Sequence, residues 1–229
     1  MIKKEIYNGQ ERNRAMDYQE LMTFIMEMLG TVAFAASGAM VGVERKMDIF
    51  GVCVLGVITS VGGGMIRDIV LGNIPPSVFK NPVYALVATI TSCVVFLIVG
   101  MKKELMESSF KVYYDQMMLL MDSVGLGIFT VVGVNTGIRF GYINNTFLLV
   151  FLGTITGVGG GLLRDMMAGV PPYIFVKHIY ACASIVGAIV CVVIHRTFGA
   201  VQAMLVSSAL VVLIRYLAAH YRWNLPRVE

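Results

Sequence analysis

The chain is short of charge. Of its 229 residues only 14% are Asp, Glu, Lys or Arg, while 57% are hydrophobic and the mean hydropathy is +0.78. A water-soluble domain carries roughly 25% charged residues, so a soluble globular fold is excluded. The formal net charge of +4 then says little about nucleic acid. No basic stretch is interleaved with aromatics in the way that grips single strands, and no nucleic-acid partner is expected. Cysteine is also scarce. Cys53, Cys93, Cys182 and Cys191 all lie in apolar segments and none forms a CxxC pair. That argues against a disulfide framework or zinc site and leaves small buried hydrophobes. His178, His195 and His220 fall near segment ends, far apart in sequence, and read as interfacial residues. No Ser-His-Asp arrangement, metal cluster or ATP motif is present, so neither an enzyme nor a cofactor is expected. The polar residues 1–19 lack the apolar core and cleavage site of a signal peptide. They read as a disordered or surface-lying tail, with the first apolar helix acting as an uncleaved insertion signal.

Long apolar runs make up the remainder. A spanning helix needs about 20 mostly apolar residues. Seven candidates occur, at about 21–43, 49–71, 82–101, 117–138, 146–168, 178–194 and 198–219. The expected fold is an all-α multi-pass membrane protein. A single membrane domain covers residues 20–220, and a short tail follows at 221–229. Connections are short; the longest, 102–116, is charged.

The chain repeats itself. Gly62, Arg67, Asp68, Gly72, Pro75 and Lys80 return as Gly159, Arg164, Asp165, Gly169, Pro172 and Lys177, a shift of 97. Upstream, Glu27, Gly30, Phe34, Gly38 and Gly42 return as Asp122, Gly125, Phe129, Gly133 and Gly137, a shift of 95. Helices one to three (about 21–101) are thus repeated as helices four to six (about 117–195), with the seventh helix outside. An odd number of spans per repeat inverts the second copy, the plan of many transport proteins. The GxxxG pairs Gly38/Gly42 and Gly133/Gly137 read as helix-packing surfaces. The C-terminal face collects more Lys and Arg (Arg45, Lys46, Lys102, Lys103, Lys111, Lys177, Arg222 and Arg227) than the face of Lys80, Arg139 and Arg196. The positive-inside rule therefore expects a cytoplasmic C-terminus and an outside N-terminus.

Each repeat holds the same phrase inside an apolar run: Gly62-Gly63-Gly64 before Arg67-Asp68, and Gly159-Gly160-Gly161 before Arg164-Asp165. Glycine inside a helix costs about 1 kcal/mol relative to alanine. A charged side chain at membrane depth costs roughly 2.5–3.5 kcal/mol on insertion scales. One reading makes the glycines a close-packing surface and the charges structural. A phosphate loop is poorly matched, since there is no GxxxxGK[ST]. The preferred reading is a permeation path. The glycines interrupt both helices, freed carbonyls meet near the midplane, and hydroxyls of Thr59, Ser60 and Thr156 add oxygen ligands. Neighbouring residues point about 100° apart on a helix, so cross-repeat ion pairs are expected, Arg67 with Asp165 and Arg164 with Asp68. Glu27 and Asp122 are candidate vestibule carboxylates. Gly63→Leu or Gly160→Leu is expected to abolish flux while leaving expression nearly intact.

Two GGGxxRD phrases, seven spans and a three-plus-three-plus-one inverted repeat resemble the prokaryotic trimeric intracellular cation (TRIC) channels. Many bacterial members of that family carry the name glycine transporter. The resemblance covers about 20–215. It implies a homotrimer in lipid, each protomer holding a pore for monovalent cations, chiefly potassium with sodium as the other permeant ion. The pore would be lined by helices two and five, kinked at Gly62, Gly63, Gly64, Gly159, Gly160 and Gly161, with Arg67, Asp68, Arg164 and Asp165 completing the motif. Animal members carry gating basic residues on the fourth helix. This chain has no Lys or Arg between Asp115 and Arg139, so that voltage mechanism is not implied. The expected location is the plasma membrane. A secondary transporter of glycine or another small solute is the alternative, and a membrane scaffold is the third reading.

Overall fold

The computed structural model describes residues 2–101, 108–176, 179–221 and 223, with side chains from Tyr18 onward outside 108–110 and 176. The helices in chain order are α1 (Ile2–Glu44), α2 (Ile49–Val70), α3 (Ser77–Lys80), α4 (Val83–Met101), α5 (Ser108–Arg139), α6 (Thr146–Met167), α7 (Tyr173–Val176), α8 (Ala181–Phe198) and α9 (Ala200–His220). Seven spans are long and apolar enough to cross a membrane: Tyr18–Glu44, Ile49–Val70, Val83–Met101, Lys111–Arg139, Thr146–Met167, Ala181–Phe198 and Ala200–His220. The chain is an all-α, multi-pass membrane protein.

Two connections differ from expectation. The segment expected as a tail is helical backbone, since α1 begins at Ile2; its Gln, Glu, Arg, Ala and Met residues are good helix formers. Helix α5 begins at Ser108 and absorbs much of the expected loop 102–116. Lys102, Lys103, Lys177, His178, Arg222 and Arg227 lie outside the described residues.

The inverted repeat holds at the level of single hydrogen bonds. Helix α2 starts where Asp48 Oδ1 accepts the Gly51 amide at 2.7 Å, and α6 starts where Asn145 Oδ1 accepts the Leu148 amide at 3.0 Å. Both side chains satisfy an amide that the first turn leaves open. The two helices also end alike. Gly72 (φ +71°) and Gly169 (φ +65°) adopt the left-handed conformation. The next amides, of Asn73 and Val170, reach back to the carbonyls of Asp68 and Asp165 at 2.8 and 3.0 Å. This is the Schellman ending, which favours glycine at its positive-φ position.

Packing follows the same symmetry. A Cβ on Gly38 would stand 2.4 Å from Thr59 Oγ1, and one on Gly133 would stand 2.6 Å from Thr156 Oγ1. The small residues of the GxxxG pairs thus seat α1 on α2 and α5 on α6, as expected. Phe34 and Phe129 meet with ring centroids 5.3 Å apart. Gly125 makes room for the first ring and Gly30 for the second. Helix α9 packs mainly on α5 and α8, so it covers the second repeat, and among the described residues the first repeat has no equivalent neighbour. Phe50, Leu86, Leu97, Phe147, Val193 and Leu213 point outward and exposed, which suits an apolar surrounding.

Candidate permeation site at the crossing of α2 and α6

The glycine phrase does not interrupt its helices. α2 runs as unbroken α-helix from Ile49 to Val70 and α6 from Thr146 to Met167. The expected freeing of backbone carbonyls and amides is therefore not found. The reason is the neighbouring helix. A Cβ on Gly63 would fall 2.1 Å from the Thr156 carbonyl oxygen, and one on Gly160 would fall 2.0 Å from that of Thr59. The two helices cross backbone against backbone, which only glycine permits. Gly62 abuts Leu163 and Gly159 abuts Gly63. The third glycine of each phrase faces elsewhere. A Cβ on Gly64 would meet only Arg67 Nη2, at 3.8 Å, whereas one on Gly161 would fall 2.9 Å from the Tyr180 hydroxyl. Gly63→Leu and Gly160→Leu would destroy the crossing itself, so such variants would lose folded protein along with flux.

The hydroxyls also differ from expectation. Thr59 Oγ1 donates to the Leu55 carbonyl at 2.6 Å and Thr156 Oγ1 to that of Leu152 at 2.5 Å. Both are buried between helices and engaged there. Ser60 donates to the Val57 carbonyl at 2.9 Å but does line a cavity.

The Arg-Asp pairs close on themselves, not across the repeats. Arg67 Nε and Nη2 both donate to Asp68 Oδ1, at 2.9 and 2.8 Å, and Arg164 Nε donates to Asp165 Oδ1 at 2.8 Å. Cross-repeat pairing fails on distance. The helices are antiparallel, and each arginine lies four residues beyond the crossing, so the two motifs stand about 12 Å apart along the axes. The long arginine side chain bends back over the 100° between neighbours, because its aspartate is held from the other side. Asp68 Oδ2 accepts the amide of Ser77 at 2.7 Å, and Asp165 Oδ2 accepts that of Tyr173 at 2.8 Å. These are the first residues of α3 and α7, so each carboxylate clamps the chain returning after its glycine turn.

On the face where α1 begins and α2 ends, a cavity of about 530 Å³ opens between α1, α2, α4 and α5. Glu27, Ser60, Gly64, Arg67, Asp68 and Tyr84 line it. The Tyr84 hydroxyl donates to Glu27 Oε2. Two cations at its edge are engaged: Lys80 Nζ donates to Asn73 Oδ1 at 2.6 Å, and Arg139 pairs with Glu20 at 3.1 Å. The cavity reaches the α2 face beside the crossing with two carboxylates against one inner guanidinium.

The matching place in the second repeat is filled. Asp122, the counterpart of Glu27, is fully buried. Arg164 Nη1 donates to Asp122 Oδ1 and to Ser37 Oγ, both at 2.6 Å. Arg215 enters from α9, with Nη2 4.0 Å from Asp122 Oδ2 and Cζ 4.7 Å from the Tyr180 ring centroid. Arg164 lies over Tyr173 at 5.2 Å. Burial, then the charge of Asp122, push the Tyr180 phenol well above its ordinary range, so it stays a neutral O–H. Of the two expected vestibule carboxylates, Glu27 lines the open cavity and Asp122 lies in this sealed cluster. Sequence reasoning missed Tyr84, Tyr180, Ser37 and Arg215. Arg215 is the lone charge inside the seventh apolar run, a signal that marks functional positions in membrane helices.

Comparison with known proteins agrees with this architecture. A family model described as "Glycine transporter" matches residues 24–99 and 119–196, one stretch in each repeat. The chain is 36% identical over 208 residues to the UPF0126 inner membrane protein YadS of Escherichia coli K12, covering 90% of this chain and 96% of that protein. It is 32% identical over 203 residues to a UPF0126 membrane protein of Deinococcus radiodurans, covering 88% and 89%. Among solved structures it is similar to a prokaryotic TRIC channel determined in 0.5 M KCl, with TM-score 0.80 and 29% identity over 90% of this chain and all of that one. A second similar structure, described as explaining conductance through TRIC cation channels, gives TM-score 0.76 and 32% identity over 90% and 96%. With its matched repeats, its paired glycine phrases and this likeness along nearly its whole length, the chain belongs to the prokaryotic TRIC channel family.

Proposed function

We propose that this protein is a potassium-permeable cation channel, with one path inside each protomer of a homotrimer. The path enters by the Glu27–Asp68 cavity, passes the crossing of α2 and α6, and leaves through the Asp122–Arg164 region. The observation that carries the reading is the contrast between two related sites. One is an open cavity that holds Glu27 and the Arg67–Asp68 pair beside the crossing; the other is sealed by ion pairs. A path open at one end and shut at the other is a channel in its closed state. The TRIC structures similar to this chain include one described as a cation channel and one determined in KCl, which supports both the cation and the potassium. The family description favours glycine as the alternative cargo. Glycine has a carboxylate that needs a cationic partner, yet the inner cation, Arg67, already gives two nitrogens to Asp68. That arrangement suits a cation better than a zwitterion.

The test is transport by the purified full chain in lipid vesicles, with potassium current and labelled glycine uptake measured on one preparation. Potassium current that grows with concentration, without glycine uptake, is expected. Saturable, gradient-driven glycine uptake with little current would overturn the channel reading.

A further inference from the structure

One end of the proposed path has a helix that the other lacks. Glu27, Tyr84, Arg67 and Asp68 surround the open cavity, and Asp122, Tyr180, Arg164 and Asp165 are their counterparts at the sealed end. The second set has a fully buried extra member, Arg215 from α9. Charge shows what it changes. The four residues of the first set hold two carboxylates and one guanidinium, with Lys80 and Arg139 further out at the cavity edge on Asn73 and Glu20. The second set holds two carboxylates and one guanidinium of its own, and Arg215 brings it to neutrality inside the core.

Arg215 is placed oddly for a structural anchor. Its side chain is 1% exposed, yet neither Nε nor Nη1 has a hydrogen-bond partner among the described residues. Its contacts are the 4.0 Å approach to Asp122 Oδ2 and the stack on Tyr180. Asp122 Oδ2, the Tyr180 hydroxyl and Arg164 Nη2 also lack hydrogen-bond partners. Leaving buried polar atoms unpaired is costly, more so for charged groups, so a guanidinium kept only to brace α9 would be expected to satisfy its donors. These groups crowd against the third glycine of α6. A Cβ on Gly161 would meet Tyr180 Oη at 2.9 Å and Asp122 Oδ1 at 3.8 Å, whereas at Gly64, its counterpart, neither Glu27 nor Tyr84 comes within 4 Å.

We propose that Asp122 and the Tyr180 hydroxyl form a binding site for a monovalent cation, occupied in this closed conformation by the guanidinium of Arg215 as a tethered substitute. The donors fit: a carboxylate and a phenol oxygen, with Ser37 Oγ across Arg164, are hard oxygen ligands of the kind alkali cations prefer. Arg215 is bound by charge and stacking without directed bonds, so it can yield to a mobile ion. A shift of α9 would then expose the site and open the second end. This inference rests on the channel reading for its consequence, though not for its binding claim.

The experiment uses the full chain with Arg215→Gln, Arg215→Lys, Arg215→Gln/Asp122→Asn and Tyr180→Phe. Two readouts are taken: melting temperature in KCl against choline chloride at equal ionic strength, and potassium current in vesicles. Arg215→Gln should gain a potassium-specific rise in melting temperature and an increase in current on the order of tenfold, the usual size of a coupling between states. Adding Asp122→Asn should remove both gains, and Arg215→Lys should retain the wild-type behaviour. Tyr180→Phe removes a hydroxyl that makes no hydrogen bond but keeps the stack, so it should fold. It should weaken the potassium dependence of the current severalfold, which keeps the site testable if Arg215→Gln does not fold. Arg215→Gln without a potassium-specific melting shift, gains that survive Asp122→Asn, or an unchanged potassium dependence in Tyr180→Phe would each overturn the site. A melting shift in Arg215→Gln without current in any variant would instead uphold the site and overturn the channel reading.

Discussion

Adding one methyl group at the α2–α6 crossing should show what the three glycines are for. In Gly63→Ala the new Cβ would lie 2.1 Å from the Thr156 carbonyl oxygen, where ordinary contact begins near 3.4 Å. The helices must part by about 1.3 Å to restore that contact. Neither side of this contact is a flexible side chain, so rotamer changes cannot absorb it. Overpacking of this kind typically costs 1–3 kcal/mol, and the helix preference of alanine over glycine returns up to about 1 kcal/mol. A net loss of about 1–2 kcal/mol should lower the melting temperature by roughly 2–8 °C in a chain of this size. Gly160→Ala should match it, because its Cβ would stand 2.0 Å from the Thr59 carbonyl oxygen. Gly64→Ala is the internal control: its Cβ meets only Arg67 Nη2 at 3.8 Å, so stability should hold or rise. The assay is the fraction of purified protein surviving graded heating, with potassium flux measured on the same samples. Wild-type melting in both Gly63→Ala and Gly160→Ala would refute close approach as the role of these glycines and restore the reading in which they loosen the helix.

Three further outcomes are expected. Asp68→Ala should be far more damaging than Asp68→Asn, because it removes the acceptor for the Ser77 amide as well as the partner of Arg67. Breaking a buried pair of this kind costs about 3–5 kcal/mol, and the comparison is read from yield of folded protein and melting temperature. Gly72→Ala should cost about 1–2 kcal/mol, since its φ is +71° although its surroundings are open; a melting temperature equal to the wild type would contradict the turn geometry. Cys53 and Cys93 bring their sulfurs to 3.4 Å between α2 and α4, so mild oxidation should join them, with a mass lower by two hydrogens and no such product in Cys53→Ser. Failure to cross-link would mean that the two helices are set in a different register.

The spans were legible because apolar runs of the right length admit few alternatives in a membrane. The inverted repeat was legible because two sets of glycines, charges and prolines recur at constant shifts. The role of the glycines was not. The same residue that loosens a helix also lets a second backbone approach, and only the position of α6 against α2 decides between the two. Thr59 and Thr156 look like oxygen ligands in sequence, yet their hydroxyls are taken by the preceding turn. The Arg-Asp pairs were misassigned for a related reason. The aspartate is fixed by an amide eight or nine residues later, and that tie depends on the path of the turn after Gly72 or Gly169. Arg215 joins Asp122 from a helix outside the repeat, so comparing the two halves could not have revealed it.

Each aspartate of the glycine phrase serves two masters with its two oxygens, a guanidinium behind it and an amide ahead. The two members of a pair are therefore unequal in what their loss does. A chain without Arg67 still has its turn anchored, because Asp68 Oδ2 keeps the Ser77 amide. A chain without Asp68 has both a stranded cation and a loose return. Exchanging the two residues would preserve the charge count and still fail, since a guanidinium cannot accept from an amide. Inactivity in such a swapped protein would thus report a lost turn, and would say nothing about whether ions once passed between the pair.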